Sequence, residues 1–146
     1  MPQEFNLRLN IQPGVCVKVK GDILANASGF GINLGKDEEN IALHFNPRFN
    51  IFHDQSIIIL NSKTEGVWGT EQREPFFPLK QNTTSEISIT FEGERFLVNV
   101  DNKLTISFPN RLGLKQVDFM AVRGDFQVRS LVFNKIDSSN STLDAF

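Results

Sequence analysis

The sequence predicts an all-β protein, a two-layer sandwich or a barrel. Three observations carry that expectation. Short runs of strict apolar–polar alternation recur along the chain, and a period of two belongs to a half-buried strand, not to a helix. Turn residues separate the runs at intervals of roughly 8–12 residues, the spacing of a sandwich or barrel. No long segment keeps the helical period, and strands do not alternate with helical patterns, which argues against a parallel α/β sheet.

The elements follow in order. Phe5, Leu7, Leu9 and Ile11 alternate with Asn6, Arg8 and Asn10, and Pro13-Gly14 ends the run. Val15, Val17 and Val19 alternate with Cys16, Lys18 and Lys20. Phe30, Ile32 and Leu34 alternate with Gly31, Asn33 and Gly35, and Gly35-Lys36-Asp37 turns the chain. Ile41, Leu43, Phe45, Pro47 and Phe49 form the apolar set of the next strand. Pro47 has no N–H to donate, which suits an edge or a strand end. Residues 56–60 form an apolar strand that Asn61 is expected to end. Ile87, Ile89 and Phe91 are followed by the Glu92-Gly93-Glu94 turn, then Phe96, Val98 and Val100, then Asp101-Asn102-Lys103, then Leu104, Ile106 and Phe108. Pro109-Asn110 and Gly124-Asp125 close later elements, and Leu131-Val132-Phe133 puts apolar groups on both faces of a strand. Residues 1–134 read as one domain. Residues 135–146 are Ser/Asn/Asp-rich and read as a polar C-terminal tail, with Ile136, Leu143 and Phe146 available for docking.

Composition narrows the function. The 146 residues suffice for one core, and 40% apolar with 22% charged residues is a globular balance, neither disordered nor fibrous. Fifteen Lys and Arg against 17 Asp and Glu give a net charge of −2. A nucleic-acid partner is not expected, because that binding rests on a basic face. The longest apolar run is Ile57-Ile58-Ile59-Leu60, too short for membrane insertion. The first residues, Met1-Pro2-Gln3-Glu4-Phe5, lack the charged and apolar regions of a secretory signal. The single cysteine, Cys16, excludes an internal disulfide and a Cys-rich zinc site. Neither a metal nor another cofactor is expected.

Two clusters carry chemistry. In the strand of residues 41–49, His44, Asn46 and Arg48 alternate with the apolar set and therefore share the opposite face. Imidazole, amide and guanidinium in a row offer several donors and a few acceptors in a fixed array. The row is either an ordinary solvated face or a site for a neutral, hydroxyl-rich ligand. The second cluster runs from Asn61 through Trp68 to Glu71 and Arg73. Trp68, the only tryptophan, lies between Gly66 and Gly69. Glycines permit the tight turns that carry an indole to a rim, where it can stack on the apolar face of a sugar ring; the alternative is a core residue. Glu71 and Arg73 share a face by parity and can pair with each other, or Glu71 can bridge Arg48 and Arg73.

His44-Phe45-Asn46-Pro47-Arg48-Phe49, then Asn61, then Trp68-Gly69-Thr70-Glu71-Gln72-Arg73 resemble the carbohydrate signature of the galectins. Asn33-Leu34-Gly35-Lys36-Asp37, Phe108-Pro109-Asn110-Arg111-Leu112 and Gly124-Asp125-Phe126 extend the likeness over residues 5–134, closest to single-domain, prototype members. The resemblance implies an antiparallel two-sheet jelly-roll sandwich with a sugar groove on its concave sheet. It implies calcium-independent binding of β-galactosides such as lactose and N-acetyllactosamine on glycoproteins and glycolipids. By the same resemblance, His44, Asn46 and Arg48 would bond the axial 4-hydroxyl of galactose, and Asn61 and Glu71 would hold its 6-hydroxyl. Trp68 would stack on the ring, and Arg48, Glu71 and Arg73 would reach the next sugar. Phe52, His53 and Asp54 are possible secondary contacts. Phe52 stands where close relatives often carry His, and here the His comes one place later. The resemblance also implies a homodimer through the terminal strands, and a cytoplasmic and extracellular location reached by non-conventional secretion.

Rival classes leave their own marks. A glycosidase needs two carboxylates flanking the scissile bond, and Asp54 is the nearest acidic candidate to accompany Glu71. No catalytic residue is therefore assigned and the protein is not expected to be an enzyme. A calcium lectin needs grouped oxygen ligands, whereas Asp37-Glu38-Glu39 reads as a solvated hairpin tip. A galectin-fold structural or scaffold protein with weak or no sugar binding is the remaining alternative.

Overall fold

A computed structural model of the chain describes residues 3–136. Among the described residues every regular element is a strand. In chain order they are β1 (Gln3–Ile11), β2 (Val15–Ile23), β3 (Phe30–Asp37), β4 (Asn40–Ile51), β5 (Asp54–Thr64) and β6 (Val67–Trp68). There follow β7 (Gln72–Glu74), β8 (Thr83–Phe91), β9 (Arg95–Val100), β10 (Leu104–Pro109), β11 (Val117–Gly124) and β12 (Phe126–Lys135). All pairings are antiparallel. One sheet runs β1-β11-β3-β4-β5-β6, with β7 also pairing β5, and the other runs β10-β9-β8-β2-β12.

The alternation read from the sequence sets which side chains meet between the sheets. Ile32, Leu34, Leu43, Phe45, Ile58, Leu60, Met120 and Val122 come from the first sheet, and Val17, Val19, Ile87, Ile89, Phe91, Phe96, Val98 and Phe108 from the second. Parity then sends His44, Asn46 and Arg48 to the outer face of the larger sheet. Phe30 of the first sheet stacks on Phe126 of the second with centroids 4.4 Å apart, tying the layers together, and within the second sheet Phe91 stacks on Phe96 at 5.1 Å.

Two expectations are corrected. Pro47 lies inside β4, opposite Ile58 of β5, and not at an edge or strand end. Proline is tolerated there because the β3 ladder on its other side stops at the Ile32–Phe45 pair, so no partner awaits its missing N–H. Asn61 does not end its strand: β5 continues to Thr64 and pairs Lys63 with Trp68 of β6. Residues 62–73 are accordingly no simple loop but a hairpin followed by β7. Phe52 and His53 form the two-residue β4–β5 turn, both at positive φ (54° and 66°), so strand parity does not govern them.

The terminal strands β1 and β12 are sheet edges. Leu9, Asn10 and Ile11 share a cleft with Phe133, Asn134 and Lys135. Most of the tail expected at 135–146 lies outside the described residues; Lys135 ends β12, and the Ile136 amide donates to the Gly14 carbonyl at 2.5 Å.

Candidate functional site

Cross-strand register assembles the site. Asn33, His44 and Asn61 sit side by side on β3, β4 and β5. His44 Nδ1 is 2.6 Å from Asn33 Oδ1. An amide oxygen only accepts, so in the neutral ring Nδ1 carries the proton and Nε2 is left as an acceptor. Burial of the ring, helped by the Arg48 and Lys63 charges and opposed by Asn46, pushes the His44 pKa from 6.5 down to about 4. The imidazole is therefore neutral at physiological pH.

Asn46 donates to the Phe30 carbonyl at 2.8 Å and accepts from Arg48 Nε at 2.9 Å. Both ends of its amide are thereby fixed. Arg48 Nη1 donates to Asp54 at 2.6 Å, and its Nη2 lies 4.0 Å from Glu71. Arg73 closes the ring of charges, pairing with Asp54 and, at 2.6 Å, with Glu71. Arg48 and then Arg73 hold the Asp54 carboxyl below its usual range. Two carboxylates alternate with two guanidiniums, so each side chain is oriented by its neighbours and less ordering is left to ligand binding.

Asn61 donates one amide hydrogen to the Gly69 carbonyl at 3.0 Å, while its Oδ1 accepts from the Ser62 amide at 2.8 Å and from Arg111 Nη1 at 3.3 Å. One amide hydrogen remains for a ligand. The β5–β6 hairpin turns at Glu65-Gly66, with φ of 49° and 81°. The φ of 81° at Gly66 lies in the left-handed region that favours glycine. Trp68 follows, 46% exposed. Its ring centroid is 4.7 Å from that of His44, and Lys63 Nζ is 5.2 Å from it.

These residues line one groove of about 700 Å³, a size suited to a small ligand. His44, Asn46, Arg48, Asn61, Trp68, Glu71 and Phe52 all face it. Arg73 and Asp54 join through their ion pairs. Phe52 is 72% exposed with the Arg48 guanidinium 5.2 Å from its ring centroid. His53 is exposed at the hairpin tip, and the groove lining does not include it. The sequence reading missed Asn33, Arg111 and the groove-lining Gly29, Gly31 and Arg123. Alternation puts Asn33 on the face opposite Ile32 and Leu34, but only the β3–β4 register sets it beside His44. Among the described residues, no three or more His, Cys, Asp or Glu form a group able to hold a metal, and no helix is long and apolar enough to cross a membrane.

Comparison with known proteins agrees with this geometry. The sequence signature of the galactoside-binding lectin family matches residues 2–133. Galectin-1 of Mus musculus is 42% identical over 125 residues, covering 86% of this chain and 93% of that one. The structure of CG-16, a homodimeric agglutinin from chicken liver, superposes with a TM-score of 0.87 at 44% identity, covering 90% of this chain and all of the other. A toad ovary galectin in complex with thio-digalactose superposes at 0.86 with 32% identity, covering 90% and 98%. With the family signature spanning nearly the whole chain and the fold shared over 90% of it, this protein belongs to the galactoside-binding lectins, the galectins.

Proposed function

We propose that the protein is a calcium-independent lectin for β-galactosides such as lactose and N-acetyllactosamine, carried on glycoproteins and glycolipids and cross-linked by a homodimer. The observation that carries this reading is the convergence of a neutral His44 acceptor, the fixed Asn46 amide and the Arg48 donors beside an exposed indole. An axial hydroxyl stands out from one side of a pyranose. It can donate to His44 Nε2 and accept from Arg48, while the apolar ring face lies against Trp68. The remaining Asn61 hydrogen meets the 6-hydroxyl, whose own proton goes to Glu71. Arg48, Glu71 and Arg73 reach the next ring. Phe52 offers an apolar contact at the far end, and Asp54 serves by holding both guanidiniums.

The electrostatics favour binding over hydrolysis. A glycosidase acid needs a raised pKa, whereas Asp54 is held low and Glu71 is paired with Arg73. The dimer is supported by the open edges of β1 and β12, by Val132 and Phe133, 45% and 46% exposed, and by the homodimeric agglutinin of the same fold. Residues 1–134 form the recognition domain in this reading and 135–146 the tail. The cytoplasmic and extracellular location, with non-conventional export, belongs to the same proposal. Chromatography on immobilised galactose with a chelator present tests it: retention with elution by lactose is expected, and passage straight through would refute it.

A further inference from the structure

The sandwich core is unsealed where the terminal strands meet. Leu9, Ile11, Val15 and Phe133 line a cleft of about 370 Å³, with Asn10, Asn134 and Lys135 around it. Ile11 belongs to the core, and Leu9 and Val15 are half-buried and pack against it. Phe133 is 46% exposed. The cleft is thus a mouth of the core, between edge strand β1 of one sheet and the β2–β12 margin of the other. It shares no residue with the sugar groove. An apolar mouth beside two open edges calls for a cover, from this chain or from a second copy.

The path of the chain and its charge favour this chain. β12 delivers it to the lip of the cleft, where the Ile136 amide donates to the Gly14 carbonyl at 2.5 Å, next to Val15. The sequence that follows suits the place. Asp137-Ser138-Ser139-Asn140-Ser141-Thr142 is polar throughout. Leu143, Ala145 and Phe146 bring apolar groups behind it, and Asp144 is opposite in charge to Lys135 beside the cleft. The seven residues from Ile136 to Leu143 reach at most about 25 Å, more than a return to a cleft that adjoins Gly14 requires. A polar link of this length is an ordinary connection. It also decides between the two covers. A segment so tethered acts at an effective concentration of order millimolar, above what a second copy supplies at tens of micromolar.

We propose that Leu143 and Phe146 fold back into the cleft of their own protomer. The docked segment then competes with a second copy for Phe133, and so weakens the homodimer without touching the sugar site. The competition rests on the homodimer reading above; the docking stands apart from it. A dimer needs both protomers undocked. With about two thirds of chains docked and about one third competent, the apparent dimer dissociation constant rises about tenfold, the inverse square of the competent fraction.

Photo-cross-linking and sedimentation of the full chain test this. The cross-linking uses p-benzoylphenylalanine in place of Phe146, irradiated below micromolar concentration, where the protein is monomeric. It should give a product of monomer mass joining residue 146 to the peptides of residues 9–15 and 133–135. In the Leu143→Ser/Phe146→Ser double variant the dimer should tighten about tenfold, while lactose affinity per site stays that of the native chain. No cross-link to those peptides, or one found only in a product of dimer mass, would overturn the docking. A dimer constant unchanged or weakened in the double variant would overturn the competition. If neither protein dimerises, the homodimer reading fails and the competition with it, and the cross-link alone decides the docking.

Discussion

Replacing Trp68 with alanine separates a rim platform from a core residue. Trp68 stands on the two-residue strand β6, belongs to no part of the buried core, and is 46% exposed. A tryptophan carries up to about 250 Å² of buriable surface, so roughly 100 Å² is open to a ligand. If a sugar ring covers half to all of that, the protein side gains about 1.3–2.5 kcal/mol at ~25 cal/mol per Å². Trp68→Ala should therefore weaken lactose binding by roughly 10- to 70-fold. The fold should lose more than a fully exposed residue would cost but stay cooperative: the covered half of the ring packs on His44 and Lys63, worth up to ~3 kcal/mol at the same coefficient, a fall in Tm of roughly 10 °C. Calorimetric titration with lactose and thermal unfolding form the assay. Because Trp68 is the sole tryptophan, its emission in the native protein should also shift to the blue as lactose binds. An alanine variant that keeps its lactose affinity, or that loses cooperative unfolding, would refute the rim assignment.

Arg48→Met should abolish most lactose affinity, by ~100-fold or more, since it removes charged donors and releases Asn46 and Asp54, at ~1.5–3 kcal/mol per charged hydrogen bond; calorimetry checks this, and a loss under tenfold would contradict it. Lactose affinity should not change through His44 between pH 7.5 and about 5.5 and should fall as pH drops through about 4, because protonation removes the Nε2 acceptor. By linkage the unfolded chain takes that proton first, so the histidine's contribution to stability also declines from about pH 6.5 toward 4. Nuclear magnetic resonance titration of the ring protons would expose a His44 that titrates near 6.5 instead. Affinity should be indifferent to reductant, since Cys16 is the single cysteine and is buried; activity lost on mild oxidation and restored by thiol would argue otherwise. Sedimentation should find a dimer at tens of micromolar whose agglutination of red cells lactose abolishes, and a monomer with intact sugar binding would remove the dimer.

The sequence made some parts of this site legible and hid others for physical reasons. β4 was plain because one of its faces is packed and the other is not: Leu43 and Phe45 are fully buried while His44, Asn46 and Arg48 are only partly so. β11 gave no such pattern. Val117, Phe119, Met120, Ala121 and Val122 are all buried, although Phe119 and Ala121 do not belong to the core between the sheets, so burial does not alternate along this strand. Asp54 was legible as a nearby acid but not as the link between Arg48 and Arg73; that role exists only once the β4–β5 turn folds the chain back. Asn33, Arg111 and Arg123 meet the site through register and long-range contacts, which local alternation does not encode. Pro47 misled because its local chemistry fits an edge, while the end of a neighbouring ladder serves as well.

Titration calorimetry of lactose against cellobiose, with EDTA present, tests most directly whether the β4 row reads the axial hydroxyl. The two disaccharides differ at that one centre. An equatorial 4-hydroxyl leaves His44, Asn46 and Arg48 unpaired, and one lost charged hydrogen bond alone is worth ~1.5–3 kcal/mol. A preference for lactose of at least about 30-fold, unchanged by the chelator, is the expected result. Equal affinities, or binding that vanishes with EDTA, would contradict it.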